Sequence, residues 1–325
     1  MDTRRLGPGG PTVTRFGLGL AAIGRPAYIN LHRNRDLPGS RSVAAMRTLA
    51  HGLLDHAFGA GIRYFDAARS YGRAEEFLAS WLDLRGLRRG KVVCGSKWGY
   101  RYVGGWRMDA LVQEVKDHSL SQLVSQLAES RRLLGDDLRL YQIHSATLES
   151  GVLDDREVLS QLVELAGDGV VVGISVSGPR QAEVVERAME VSVDGRNPFT
   201  AVQATWNLLQ TAAGPALEAA HDSGWAVLVK EGLANGRLLE VEEASSLLAG
   251  AAARHGVGQD AVALAAILSQ GWCDVALSGA VTPQQLDSNL GALKVTFEDG
   301  ELSELSVLSE EPAVYWGRRS ELPWR

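Results

Sequence analysis

Lysine is scarce in this 325-residue chain: of 33 basic residues, five are Lys (Lys91, Lys97, Lys116, Lys230 and Lys294) and 28 are Arg. A lysine in a special place is therefore less easily put down to ordinary surface charge. Cysteine is scarcer still. Cys94 and Cys273 are too few and too far apart in sequence for a disulfide framework or a cysteine metal site, so neither thiol redox chemistry nor a metal is expected. No apolar run reaches the roughly 18–20 residues of a spanning helix, and Met1–Gly10 lacks a signal peptide's hydrophobic segment, which reads as a soluble cytoplasmic protein with no membrane partner. Positive charge is not clustered and the net charge is −6, which argues against nucleic acid as a partner.

What is present is a regular alternation. Eight β-rich apolar runs recur, at Phe16–Leu20, Ile62–Phe65, Lys91–Gly95, Leu138–Ile143, Val170–Val176, Ala201–Ala204, Ala226–Val229 and Val275–Leu277. They are continuous rather than alternating, as in strands covered on both faces of a parallel sheet. Between them lie segments with helical spacing, such as Leu120, Leu123, Val124, Leu127 and Leu134, with boundary signals at Ser42, Gly61, Pro179 and Pro283. Eight strand–helix units and no linker predict one domain over residues 1–325, a (β/α)8 TIM barrel. An N-terminal β-hairpin using the Thr12–Phe16 stretch is expected to close its base, and the C-terminal tail is expected near the barrel mouth.

Two motifs point elsewhere. Gly17-Leu18-Gly19-Leu20-Ala21-Ala22 fits the glycine fingerprint of a dinucleotide-binding open sheet, but a loop rather than a helix follows it. Gly173-Ile174-Ser175-Val176-Ser177 is one residue short of a hydrolase nucleophile elbow, because the second glycine is Ser177.

Chemistry in such barrels sits at the carboxyl ends of the strands. There stand Asp66 after the second run, Tyr71 in the following loop, Lys97 after the third and His144 after the fourth. Singly, these would be a structural ion pair, a core histidine and a loop aromatic; together they are complementary. A neighbouring ammonium favours the phenolate and makes Tyr71 a better proton donor, Asp66 would balance Lys97, and His144 can orient a substrate oxygen. Such a site moves a proton at a carbonyl or alcohol oxygen. The carbon then needs a hydride, which no side chain supplies, so a cofactor is implied.

These residues carry a resemblance to the aldo-keto reductase superfamily, through Gly61–Gly72, the Ser96-Lys97 and Gln142-Ile143-His144 strand ends, and Ser278–Leu290. The Lys-Glu-Gly-Leu-Ala-Asn-Gly-Arg run at 230–237 and the tail Tyr315–Trp324 look like a bacterial branch near the aldose dehydrogenases. The resemblance implies a catalytic tetrad of Asp66, Tyr71, Lys97 and His144, and NAD or NADP as cofactor. It places Ser175 and Gln203 at the nicotinamide carboxamide and Lys230 where many relatives stack an aromatic. It also places Leu233, Asn235 and Arg237 along the cofactor, with Arg237 either at the pyrophosphate or simply a surface arginine. Ser278, Gly279, Gln285 and Asn289 fall at the adenosine end. Gly279 and Gln285 stand where basic residues often meet the 2′-phosphate of NADP, so the choice of nucleotide stays open.

A substrate pocket is expected from Tyr28, Trp98, Tyr100 and Trp206, with Arg69 and Tyr102 as further candidates and Trp106 as loop packing. Aromatic planes beside polar donors suit a small carbonyl compound or a sugar. Two other readings are a nicotinamide-binding regulatory subunit with little catalysis, and a cofactor-free barrel using Lys97 as a Schiff base. The oligomeric state is not legible.

Overall fold

A computed structural model describes residues 1–31, 33–37 and 39–324. All eight apolar runs are strands: β1 (Phe16–Gly19), β2 (Tyr64–Asp66), β3 (Val93–Trp98), β4 (Leu138–Ala146), β5 (Val171–Val176), β6 (Ala201–Thr205), β7 (Ala226–Lys230) and β8 (Val275–Ser278). Each pairs in parallel with its chain neighbours, and the circle closes where Ala276, Leu277 and Ser278 of β8 meet Phe16, Gly17 and Leu18 of β1. A closed parallel barrel with outer helices is a (β/α)8 fold. It also removes the open-sheet reading of Gly17–Ala22. Gly17 is needed for space inside the barrel, because a Cβ there would come 2.7 Å from the Tyr64 ring.

The hairpin starts earlier than the Thr12–Phe16 stretch suggests. Thr3–Arg5 pairs antiparallel with Thr12–Thr14, leaving Phe16 to the barrel. Leu6 and Val13 from this hairpin pack under the barrel with Val93, Leu140, Val171, Ala201 and Val275 and seal its base with apolar surface. Helix starts follow the boundary residues. Ser42 accepts from the Ala45 amide ahead of Val43–Gly59, and Thr282 accepts from the Gln285 amide ahead of Pro283–Leu290, whose first position is the proline. No helix among the described residues is long and apolar enough to cross a membrane.

Two additions shape the mouth. In the loop after β3, Tyr100–Tyr102 pairs antiparallel with Glu114–Lys116, a ribbon too short to leave an alternating signature in sequence. The C-terminal helix Pro312–Ser320 buries Tyr315, whose hydroxyl accepts from Asn207 at 3.0 Å, and beyond it Trp324 meets the Tyr28 ring edge-on at 6.2 Å.

The barrel interior is close-packed around Tyr64. A Cβ on Gly95 would stand 2.2 Å from the Tyr64 hydroxyl, which itself donates to Asp66. Gly95→Ala is expected to cost about 1–3 kcal/mol as overpacking and to lower activity by shifting Asp66. Urea denaturation checks it, and an unchanged midpoint would show that the Tyr64 ring can move freely.

Candidate active site

The sheet register sets the site. Asp66 ends β2, and pairing of β2 with β3 and of β3 with β4 brings Lys97 beside it and His144 next in turn. Side chains at every second position face inward, so Asp66, Lys97 and His144 converge on the axis at the carboxyl end. Lys97 is fully buried; its Nζ donates to Asp66 Oδ1 and, at 3.0 Å, to the Ala67 carbonyl. The other Asp66 oxygen accepts from the Tyr64 hydroxyl at 3.0 Å and from Gln203 Nε2 at 2.9 Å. Tyr71 lies over this pair, with Lys97 Nζ 5.0 Å from its ring centre. The His144 ring meets it edge-on at 5.4 Å, and its Nδ1 shares a 3.2 Å hydrogen bond with the Ser70 hydroxyl.

The electrostatics differ from the sequence expectation in one respect. Burial pushes the Tyr71 phenol well above 10, Asp66 pushes it further, and Arg25 opposes both. Lys97 is bonded directly to Asp66, so that pair presents little net charge; the cation that favours the phenolate is Arg25, whose guanidinium lies 5.3 Å from the Tyr71 ring centre. Arg25 is buried, bonded to Glu114 and to the Ser70 carbonyl, and within 5.1 Å of the Tyr28 ring and 4.7 Å of Trp324. Tyr71 thus remains a protonated phenol, the form a general acid requires. Burial, then Lys97 and Arg25, hold His144 well below 6.5, so it is a neutral imidazole.

Below the site, burial lowers His118 to about 4 while its Nε2 bonds the His144 carbonyl at 2.9 Å. Between about 6.5 and about 4 the unfolded chain binds more protons at His118 than the folded one, and His144 acts in the same direction. Stability is therefore expected to fall as pH drops through this range, by up to about 1.4 kcal/mol per pH unit per histidine. Urea midpoints at neutral and mildly acidic pH test it; a flat profile would contradict buried neutral histidines.

A cavity of about 1040 Å³ opens above the tetrad and runs from Tyr28, Tyr100, Lys116 and Trp324 at one end to Asp36, Asp260, Gln285 and Asn289 at the other. Gln203, Lys230, Leu233, Asn235, Ser278 and Gly279 are also in its wall. Ser175 lies behind the wall, its Oγ accepting from the Ser145 amide at 2.9 Å. The remaining candidates are not brought together. Trp98 is fully buried against His118, Trp206 packs on Trp272 at 5.7 Å, and Arg237 binds Glu310 through two bonds of 2.7 and 2.9 Å. Arg69 is paired with Glu75 and Glu129, the Tyr102 hydroxyl accepts from the Trp106 amide, and Trp106 Nε1 donates to the Arg41 carbonyl. These aromatics and arginines hold loops together.

A dinucleotide fits what the wall offers. Among the described residues Gln203 Oε1 and Asn235 Oδ1 are buried acceptors without a partner, as a carboxamide or a ribose hydroxyl would require. At the far end, Ser278 donates to Asn289 at 2.7 Å, Asn289 to Asp260 at 2.6 Å and Gln285 to Asp36 at 2.8 Å.

Sequence reasoning missed Arg25, Glu114, Lys116, Glu231 and Arg319, all of which line the cavity. Glu231 has a left-handed backbone (φ 56°) and takes two bonds from Arg319, of 2.7 and 2.5 Å, while Arg319 lies on the tail helix. Adjacency of Glu231 to Lys230 was the one available signal for that cluster.

Comparison with known proteins supports the family and the fold. The model of the Aldo/keto reductase family matches residues 39–310. The chain is 26% identical over 280 residues to a norsolorinic acid reductase of Emericella nidulans, covering 79% of this chain and 70% of that protein. It is 28% identical over 174 residues to an uncharacterised oxidoreductase of Bacillus subtilis, with 49% of this chain covering about half (53%) of that relative's length. Among solved structures, one from Pseudomonas aeruginosa assigned to the aldo-keto reductases is similar at TM-score 0.63 and 25% identity, over 90% of this chain and 95% of that one. An aldo-keto reductase of Bacillus halodurans in its holo form shares the fold at TM-score 0.70 and 20% identity, over 96% and 97%.

Proposed function

We propose that this chain, which belongs to the aldo/keto reductase family, uses Tyr71 as acid and base while a nicotinamide dinucleotide and a small aldehyde, ketone or aldose-like substrate exchange a hydride. Membership supports the coarser activity, a carbonyl–alcohol oxidoreductase. The observation that carries the finer reading is the Tyr71 phenol beside the neutral His144 imidazole, both facing one cavity over the Lys97–Asp66 pair.

In carbonyl reduction, His144 orients the substrate oxygen by a hydrogen bond and the Tyr71 hydroxyl donates its proton to that oxygen. The Arg25 guanidinium stabilises the phenolate left behind, while Asp66 and Lys97 hold each other in place beneath the ring. In alcohol oxidation the same phenolate accepts the proton. The cofactor, when bound, supplies or accepts the hydride. Gln203 and Asn235 would hold it through their free acceptors, with Ser278, Gln285 and Asn289 at its far end. Tyr28, Tyr100 and Trp324 offer ring faces to a substrate, and Lys116 adds a cation at the rim.

The far end sets the nucleotide preference. Among the described residues, Asp36 and Asp260 bring carboxylates to that part of the wall against Arg35, which disfavours a 2′-phosphate dianion. NADH is therefore expected to bind at least about tenfold more tightly than NADPH, a difference of about 1.4 kcal/mol. Fluorescence titration with both nucleotides tests the reading: tighter NADPH would overturn the preference, and failure of both would overturn the proposed function.

A further inference from the structure

Lys230 is a partly buried lysine in the cavity wall at the end of β7. Its Nζ donates to Thr205 Oγ1 at 2.8 Å and to Ser177 Oγ at 2.9 Å. The carboxylate of Glu231 is 3.7 Å away but is gripped by Arg319 through two bonds, so this cluster holds two cations for one anion. The nearby pairs are balanced: Lys97 has Asp66, Arg25 has Glu114, and His144 is neutral. Lys230 therefore carries the excess positive charge at the inner end of the cavity, in electrostatic range of His144, Asp66 and Lys97.

That charge bears on a redox cofactor. A ring exchanging hydride with a carbon whose oxygen sits at Tyr71 and His144 must lie in the same part of the cavity. An oxidised nicotinamide is a cation, and accepting a hydride, two electrons with a proton, leaves it neutral. We infer that Lys230 discriminates between the two oxidation states, its ammonium disfavouring the oxidised cofactor relative to the reduced one and making the bound ring a stronger hydride acceptor. This rests on the proposed nicotinamide-binding function. It assigns the lysine a positioning role toward charge, since no proton transfer is required of it.

Burial lowers Lys230 to about 8, which provides a second handle. The groups facing it are Glu231 and Arg319 beside it, Asp66 and Lys97 on β2 and β3, His144 on β4, and the hydroxyls of Ser177 and Thr205. Glu231 is held at about 2 and stays ionised.

The test is equilibrium binding of NAD⁺ and NADH to the wild type, Lys230→Met and Lys230→Arg, on either side of pH about 8. In the wild type NADH is expected to bind the more tightly, and the ratio of the two dissociation constants to fall as pH rises through about 8. In Lys230→Met the ratio should fall at least about tenfold and become independent of pH, a change of about 30 mV in the potential of the bound couple. Lys230→Arg should keep the wild-type ratio. A ratio in Lys230→Met within twofold of wild type, or a wild-type ratio flat in pH, overturns the inference while leaving the proposed function intact. Absence of binding of either form to the wild type overturns both.

Discussion

Tyr71→Phe is expected to lower turnover by about 10²–10⁴-fold, the range for loss of a positioned general acid, while nicotinamide binding stays within a few-fold. The substitution removes one hydroxyl and keeps the ring. The ring makes the edge-on contact with His144 and lies against Lys97 and Arg25, so the packing of the site survives. The polar side chains beside it in the described structure are engaged elsewhere. His144 is neutral and engaged with Ser70, Lys97 is bonded to Asp66, and the Tyr64 hydroxyl is spent on Asp66 below the cavity floor. Steady-state rates with a fluorescence titration of NADH separate the two effects. Turnover within tenfold of wild type would remove Tyr71 from the acid role.

Lys97→Met is expected to have the largest effect on stability. It leaves Asp66 buried with the Tyr64 and Gln203 hydrogen bonds but no cation bonded to it among the described residues, and breaking one side of a buried ion pair costs about 3–5 kcal/mol. Replacing both partners should cost less than replacing Lys97 alone, because no uncompensated charge remains. Urea denaturation of Lys97→Met and of Lys97→Met with Asp66→Asn checks this. Equal losses in the two variants would mean that Asp66 is protonated once Lys97 is gone.

The parts of the molecule legible in its sequence are those fixed by local pattern. The eight continuous apolar runs are the strands, because a strand covered on both faces has no polar alternation to hide it. Asp66, Lys97 and His144 converge because parallel pairing puts successive strand ends side by side. What the sequence did not disclose depends on pairings across long distances. Arg25 meets Glu114 from a ribbon 89 positions away, and Glu231 meets Arg319 from the tail 88 positions away. Trp98 and Trp206, expected at the substrate, lie outside the cavity wall for a related reason: a large ring near a strand end can turn inward or outward, and these two pack on His118 and Trp272. Lys230, singled out by its rarity, does lie in the wall.

One cavity is proposed to join a nicotinamide dinucleotide to a carbonyl substrate through Tyr71. The most direct measurement is a single turnover: NADH bound to the protein, mixed with a panel of aldehydes, ketones and aldoses, and followed by loss of the reduced nicotinamide's absorbance. At least one carbonyl class is expected to oxidise the bound NADH with formation of one equivalent of alcohol, and Tyr71→Phe, loaded to the same degree, to do so at least about a hundredfold more slowly. NADH that binds tightly and is oxidised by none of them would contradict it, and would mark the barrel as a nicotinamide-binding subunit rather than an enzyme.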